Sequence, residues 1–294
     1  MTWEGDKMDE DSRGIGTEPS SGTQASRVIV GLVVAFAFVV LRSRSVRFHL
    51  KYYAFGGIYF FFGLITIPIQ LFNPCDPKST RVPRLLVQRV QAPLFGISVT
   101  ARGLENYPKG SFILVCNHQS SLDCIGVMEI WPERCVILMK KILKYAGPFG
   151  LGAVLAGTIF VDRSNQKSAK ETLQHAVETI HRKNYRILVF PEGTRKLSSK
   201  ANFTDPMLPF KKGAFNLAVL AQVPIVPVVF SSQKHIVDFK SHTFTSGHYN
   251  AKVLPPVSTE GLTLDDVQEL SDKVRDQMID TFRQLEEDTT NKND

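Results

Sequence analysis

Phe112-Ile113-Leu114-Val115-Cys116-Asn117-His118-Gln119-Ser120-Ser121-Leu122-Asp123 is the stretch on which the fold turns. Its first five residues form an unbroken apolar run, the mark of a strand buried on both faces. Ser120 with Asp123 three residues later fits a capping box, which starts a helix near Ser121. His118 and Asp123 are five apart, about 140° around an ideal helix at ~100° per residue, so they cannot share a helical face. With His118 in the turn at the strand's carboxyl end, Asp123 sits one turn into the helix and reaches back to it. The pair then reads as a His base whose tautomer a carboxylate fixes.

A second stretch, Val189-Phe190-Pro191-Glu192-Gly193-Thr194-Arg195, has the same form. Tyr185 to Phe190 is strand-like, and Pro191 and Gly193 end it in a tight loop. Gly193 lets backbone approach a ligand closely, Thr194 offers a hydroxyl, and Arg195 offers a planar fork suited to phosphate. Glu192 is placed to orient that Arg.

Outward from these two anchors, apolar runs alternate with helical stretches. Strands are expected at Ile97–Ala101, Phe112–Cys116, Cys135–Met139, Thr158–Val161, Arg186–Phe190, Pro224–Phe230 and Ala251–Leu254. Ala169, Leu173, Ala176, Val177 and Ile180 make one helical stripe, with Ser164 as its N-cap. A second helix runs through Ala214 to Ala221. Thr263 and Asp266 form a capping box ahead of Val267, Leu270, Val274, Met278, Phe282 and Leu285, the buried face of a last amphipathic helix. This alternation argues an α/β domain with a largely parallel central sheet flanked by helices. Prolines at 224 and 227 cannot donate to a ladder, which places that strand at an edge, or its prolines where a strand begins.

Residues 1–26 are polar and read as a disordered tail without the basic region of a signal peptide. Val28 to Leu41 carries no charge but is only fourteen residues long, against the ~20 that a bilayer span needs. Tyr52 to Phe72 is longer and is the stronger membrane candidate. Arg42, Arg44, Arg47 and Lys51 precede it, and Lys78, Arg81, Arg84 and Arg89 follow it, so the positive-inside rule does not orient it. Two spans, one span and a hairpin within one leaflet all remain. The resulting division is a tail at 1–26, two apolar membrane-associated helices at 27–72, a connector at 73–90, a catalytic domain at 91–288 and a short tail at 289–294.

A net charge of +7 over 294 residues suits an anionic partner. The aromatic residues cluster in the apolar segment rather than among Lys and Arg, and no nucleic-acid motif is present; phosphates and lipid headgroups explain the charge better. Cys75, Cys116, Cys124 and Cys135 have no metal-ligand spacing and form no disulfide framework. Cys116 and Cys124 read as buried thiols. No nucleotide-binding glycine motif and no G-x-S-x-G elbow occurs.

The two anchors together resemble the glycerolipid acyltransferases, with their N-H-x-x-x-x-D and F-P-E-G-T-R motifs. Ile159-Phe160-Val161-Asp162-Arg163 and Val223-Pro224-Ile225-Val226-Pro227-Val228 match two further family motifs in the same order. The resemblance runs from about Phe55 to about Glu287 and is strongest to the eukaryotic 1-acylglycerol-3-phosphate acyltransferases, which share N-H-Q-S-S-L-D and L-P-F-K-[KR]-G-A-F. It implies a two-helix N-terminal membrane motif in the endoplasmic reticulum membrane. It also implies lysophosphatidic acid as acceptor and acyl-CoA as co-substrate, with no metal or other cofactor.

In that scheme His118 and Asp123 are catalytic: His118 deprotonates the acceptor hydroxyl and Asp123 orients His118. The acceptor phosphate falls to Arg195 with Glu192, Gly193 and Thr194, and to Arg163. Lys140 is a candidate contact to an oxyanion or phosphate, although Ile142 stands where the family often has Glu. Lys211, Lys212 and Gly213 either help hold phosphate or form a solvated basic turn. Ser120 and Ser121 are read as helix-capping residues rather than nucleophiles. Alternatives are transfer to glycerol-3-phosphate or to another lysophospholipid, a lipid hydrolase, and a non-catalytic lipid-binding protein.

Overall fold

The computed structural model describes residues 21–162, 166–196 and 205–290. Residues 1–20 of the expected tail, the Ser164 cap, Arg163 and residues 291–294 lie outside them. Contacts divide the chain into two units, Met1–Arg47 and Phe48–Asp294. The first holds α1 (Ser21–Arg42), which begins ahead of the expected apolar segment, and its apolar side chains from Val28 to Leu41 are exposed except for the half-buried Val40. Arg47 Nη1 donates to the carbonyls of Leu41 and Arg42, satisfying acceptors that the helix end leaves over. Gln24–Arg42 and Arg44–Leu71 are both long and apolar enough to cross a membrane. Their length and composition suggest membrane association.

The second unit begins within α2 (Arg44–Leu71). Phe48, Phe55, Phe62, Gly63, Thr66 and Gln70 form one buried stripe down that helix. Short helical turns follow, α3 (Arg81–Leu86) and α4 (Ala92–Phe95), then a sheet of seven strands. These are β1 (Ile97–Arg102), β2 (Ile113–Cys116), β3 (Cys135–Lys140), β4 (Ile159–Val161), β5 (Arg186–Val189), β6 (Ile225–Phe230) and β9 (Gly247–Val253), in the order β1-β9-β6-β2-β5-β3-β4. A two-stranded ribbon, β7 (Val237–Asp238) with β8 (Thr243–Phe244), lies outside it; its strands are too short for sequence periodicity to reveal. All pairings in the large sheet are parallel except β6 with β9.

Strand alternation splits the core in two. Ile113, Val115, Ile187 and Val189 face α7 (Gln166–Lys183), α8 (Gly213–Ala221) and α9 (Val267–Thr290). Phe112, Leu114, Cys116 and Leu188 face the opposite side, with α2 and α5 (Asp123–Glu129). The expected stripe on α9 is buried throughout, and the Thr263–Asp266 capping box is formed.

The proline-bearing strand is not at an edge: β6 lies between β9 and β2. The Pro227 carbonyl accepts from the Leu254 N–H, one residue past the end of β9. A residue's N–H and C=O point to the same neighbour, so the donor Pro227 lacks falls where the adjacent ladder has already ended.

Between β3 and β4, α6 (Gly147–Leu155) packs against α2 with no space between backbones. A Cβ placed on Gly63 would stand 2.6 Å from the Pro148 carbonyl, whereas one on Gly57 would meet nothing within 4 Å. Gly63→Ala is therefore expected to lower stability by about 1–3 kcal/mol through overpacking. Gly57→Ala is expected to be neutral or stabilising by ~0.5–1 kcal/mol. Thermal unfolding of the detergent-solubilised variants measures both; equal effects at the two positions contradict the close contact.

Candidate active site

Strands β2 and β5 are parallel neighbours whose outgoing chains part company. The chain after β2 enters α5 on one face of the sheet, and the chain after β5 leads to α8 on the other. Such a divergence opens a crevice at the carboxyl ends of the strands. His118 lies two residues past the end of β2, and Phe190–Arg195 directly follow β5. Glu192 joins the two loops: its Oε1 accepts the His118 backbone N–H at 2.6 Å, and its Oε2 accepts the Leu208 N–H at 2.8 Å. The Lys196 N–H to His118 carbonyl bond (2.8 Å) closes the same junction. Gly193 turns the loop with φ of 71°, a left-handed conformation that glycine adopts without steric cost.

His118 Nδ1 stands 2.8 Å from Asp123 Oδ2. The same oxygen accepts the backbone N–H groups of Gln119 (2.7 Å) and Ser120 (3.0 Å), and Oδ1 accepts Gln233 Nε2 at 2.6 Å. The other three contacts of this buried carboxyl group are all N–H donors, so it acts as acceptor, and the tautomer that suits it carries the ring proton on Nδ1. Nε2 then carries a lone pair able to accept a proton. The His118 ring stacks on Phe190, with centroids 4.1 Å apart.

The helix starts at Asp123, two residues later than the sequence indicates. Only half of the expected capping box is present: Asp123 reaches back to the Ser120 N–H, while Ser120 Oγ accepts from Leu122 N and donates to Gln233 Oε1 at 2.6 Å. Ser121 does not cap. Its Oγ lies 2.6 Å from Arg195 Nη1 and 2.8 Å from the Tyr52 hydroxyl, which itself accepts from Arg195 Nη1 at 3.1 Å. The guanidinium is thus held on the α5 side of the crevice by one residue of α2 and one of the turn before α5.

A cavity of about 180 Å³ opens at His118, Asp123 and Phe190 and runs between α2, α5, β3 and α6. Phe62, Val127, Met128 and Phe149 make its wall predominantly apolar. Cys124, expected to be a buried thiol, is instead exposed, and it lines this channel. Cys116 is buried as expected.

The remaining candidates are dispersed. Thr194 is exposed. Lys140 is exposed at the end of β3, and among the described residues no contact ties it to His118 or Arg195; neighbouring Lys141 instead pairs with Asp162 at 3.2 Å. Arg163 is outside the described residues. Lys211 and Lys212 are exposed just before α8, where the Lys211 N–H donates to the Pro191 carbonyl.

An acyltransferase family profile matches residues 98–231. Human 1-acyl-sn-glycerol-3-phosphate acyltransferase alpha is 41% identical over 247 residues, 84% of this chain and 85% of that protein. The chain belongs to the 1-acyl-sn-glycerol-3-phosphate acyltransferase family. The Saccharomyces cerevisiae 1-acyl-sn-glycerol-3-phosphate acyltransferase is 42% identical over 192 residues, 65% of this chain and 62% of that one. In fold, the chain is similar to the crystal structure of the 1-acyl-sn-glycerophosphate acyltransferase PlsC from Thermotoga maritima. The TM-score is 0.62 at 24% identity, covering 83% of this chain and 98% of PlsC.

Three parts of this acyltransferase's crevice escape sequence reading. Gln233 holds Asp123 from 110 residues away in the chain. Tyr52 sits in a helix whose composition announces only a membrane segment. Phe190 is visible as the last residue of a strand, but its stacking on His118 needs the β2–β5 pairing.

Burial pushes the Glu192 carboxyl up to about 7, against the pull of its two backbone donors. The folded protein then holds a proton that the unfolded chain has lost above the ordinary value of 4.5. This contribution to stability is complete below that value, declines as pH rises towards about 7, and changes no further above it. In Glu192→Gln the group cannot titrate, and its amide NH₂ faces one of the two N–H donors. The variant is expected to be destabilised by about 1–3 kcal/mol at neutral pH. Between pH 5 and pH 7 its unfolding midpoint is expected to fall less than the wild type's, which parallel thermal scans over pH will read.

Proposed function

We propose that this chain transfers an acyl group from acyl-CoA to the sn-2 hydroxyl of lysophosphatidic acid, giving phosphatidic acid and free CoA. The observation that carries the proposal is the pairing of a partly exposed His118 with a buried Asp123 at the mouth of an apolar channel, with the Arg195 guanidinium fixed beside it. The activity for which the relatives are named supports the acceptor, and the net positive charge agrees with anionic substrates.

His118 Nε2 removes the proton of the sn-2 hydroxyl as its oxygen attacks the thioester carbonyl carbon. The C=O π electrons move to the oxygen, giving a tetrahedral oxyanion. Its collapse re-forms C=O, breaks the C–S bond and releases the CoA thiolate, which takes the proton back from His118. The thioester is already activated, so no enzyme nucleophile is needed. General-base assistance of this kind contributes ~10²–10⁴-fold. Asp123 keeps the ring's orientation and stabilises the imidazolium while it exists. The channel takes a hydrocarbon chain, and Arg195, steadied by Tyr52 and Ser121, takes the acceptor's phosphate with its planar fork. Metal and cofactor have no part in this scheme. We place the reaction at the endoplasmic reticulum membrane on the strength of the eukaryotic resemblance.

His118→Ala is expected to abolish transfer from radiolabelled acyl-CoA while the protein remains folded in the membrane. More than a few per cent of residual activity removes His118 as the base. Release of free fatty acid at the same rate with and without acceptor identifies a hydrolase instead.

Arg195→Ala is expected to lose roughly 2–4 kcal/mol of acceptor binding, an acceptor KM raised ~30- to 800-fold where KM tracks binding. Tyr52→Phe keeps the guanidinium but removes one hydroxyl that positions it, so a smaller rise of the same KM is expected. A loss confined to the acyl-CoA KM in either variant reverses the assignment of Arg195.

A further inference from the structure

Phe190 borders two cavities. One is the apolar channel on the α5 face. The other, of about 690 Å³, lies on the opposite face of the sheet between α7 and α8, where Val189 and Pro191 also line it. Leu173 and Gln174 stand on one side of this second cavity, Asn216 and Leu220 on the other, and Lys211 at the end beside Pro191. Neither Tyr52 nor Ser121, which position Arg195, lines it. It is larger than the channel, and its lining mixes aliphatic side chains with Gln174, Asn216 and Lys211.

The donor in the scheme above has two arms of unlike chemistry joined at the thioester. The acyl arm is pure hydrocarbon and suits the narrow channel. The other arm is long, with two amides, a branched aliphatic centre and a nucleotide bearing several phosphate charges. It needs an open groove with apolar footing and a cationic end. The Lys211 N–H to Pro191 carbonyl bond of 2.9 Å fixes this lysine's backbone to the loop that carries Phe190, and so at a set distance from His118. A Cβ on the adjoining Gly213 would meet nothing within 4 Å, so the approach beside it is open.

We propose that the cavity between α7 and α8 receives the pantetheine–nucleotide arm of acyl-CoA, with Lys211 meeting its phosphates. The donor then threads from one face of the sheet to the other past Phe190, its carbonyl carbon beside His118, while the acceptor's phosphate enters from the Arg195 side. This rests on the acyl-CoA reading above and adds to it where the donor lies.

The test uses the full chain in mixed micelles with two donors, oleoyl-CoA and the oleoyl thioester of N-acetylcysteamine, which lacks the nucleotide. In Lys211→Glu and in Leu220→Trp, the ratio of kcat/KM for oleoyl-CoA to that for the truncated thioester is expected to fall about tenfold or more. Adenosine 3′,5′-bisphosphate should compete with oleoyl-CoA in the wild type and do so about tenfold more weakly in Lys211→Glu. A ratio unchanged in both variants, with the wild type active on oleoyl-CoA, overturns the site alone. A rise in the acceptor KM in place of the donor effect also overturns it, and gives the cavity to the acceptor. A wild type that transfers from neither donor overturns the acyl-CoA reading, and this site with it.

Discussion

Everything at the crevice depends on how the carboxylate of Asp123 is satisfied. It is buried, and a lone buried anion is costly enough that it would take up a proton instead. Four donors converge on it: the His118 ring, two successive backbone N–H groups and the Gln233 amide. The backbone pair comes from the turn after β2, so the same bonds that stabilise the anion also fix the turn carrying His118. Gln233 is pinned in turn by Ser120, and its backbone N–H reaches Gln119 Oε1. The imidazole is oriented before any substrate arrives, which is the condition for electrostatic assistance without rearrangement during reaction.

The sheet supplies the second constraint. Parallel β2 and β5 end side by side, and their continuing chains must leave on opposite faces. Glu192 bridges the resulting gap by bonding backbone on both banks, His118 on one and Leu208 on the other. A hydrophobic replacement would leave two buried N–H groups unpaired. The E-G-T-R stretch therefore has two physical tasks. Glu192 works on the protein's own backbone, and Arg195 faces the crevice.

What the sequence makes legible follows from how local each signal is. The inner strands β2, β5 and β6 show because buried strands are near-continuous apolar runs. By contrast, β9 is read only from Ala251 because Gly247, His248 and Asn250 break its apolar run, and α9 shows because its stripe keeps helical period. His118 with Asp123 is readable for the same reason: both sit in one turn. Sheet neighbours are not local, so the inside position of β6 contradicted its prolines until the end of β9 was seen beside Pro227. Ser121 looked like a cap because it precedes a helix, and only the arrival of Tyr52 and Arg195 gives its hydroxyl another use. Gln233 and Tyr52 carry no sequence signal, since a lone amide or phenol in a chain of this length has no pattern to belong to.

The buried stripe of α2 has a practical consequence. Tyr59, Phe62, Gly63, Thr66 and Gln70 are at once residues of an apolar helix and wall of the channel that opens at His118. Cutting the chain after Leu71 to obtain a water-soluble fragment would remove one side of that channel. It would also uncover the aromatic cluster around Phe95 and Phe244 and take away the phenol that steadies Arg195. From Phe48 onward α2 and the candidate site belong to one compact unit, so a truncation made for solubility would also dismantle the crevice.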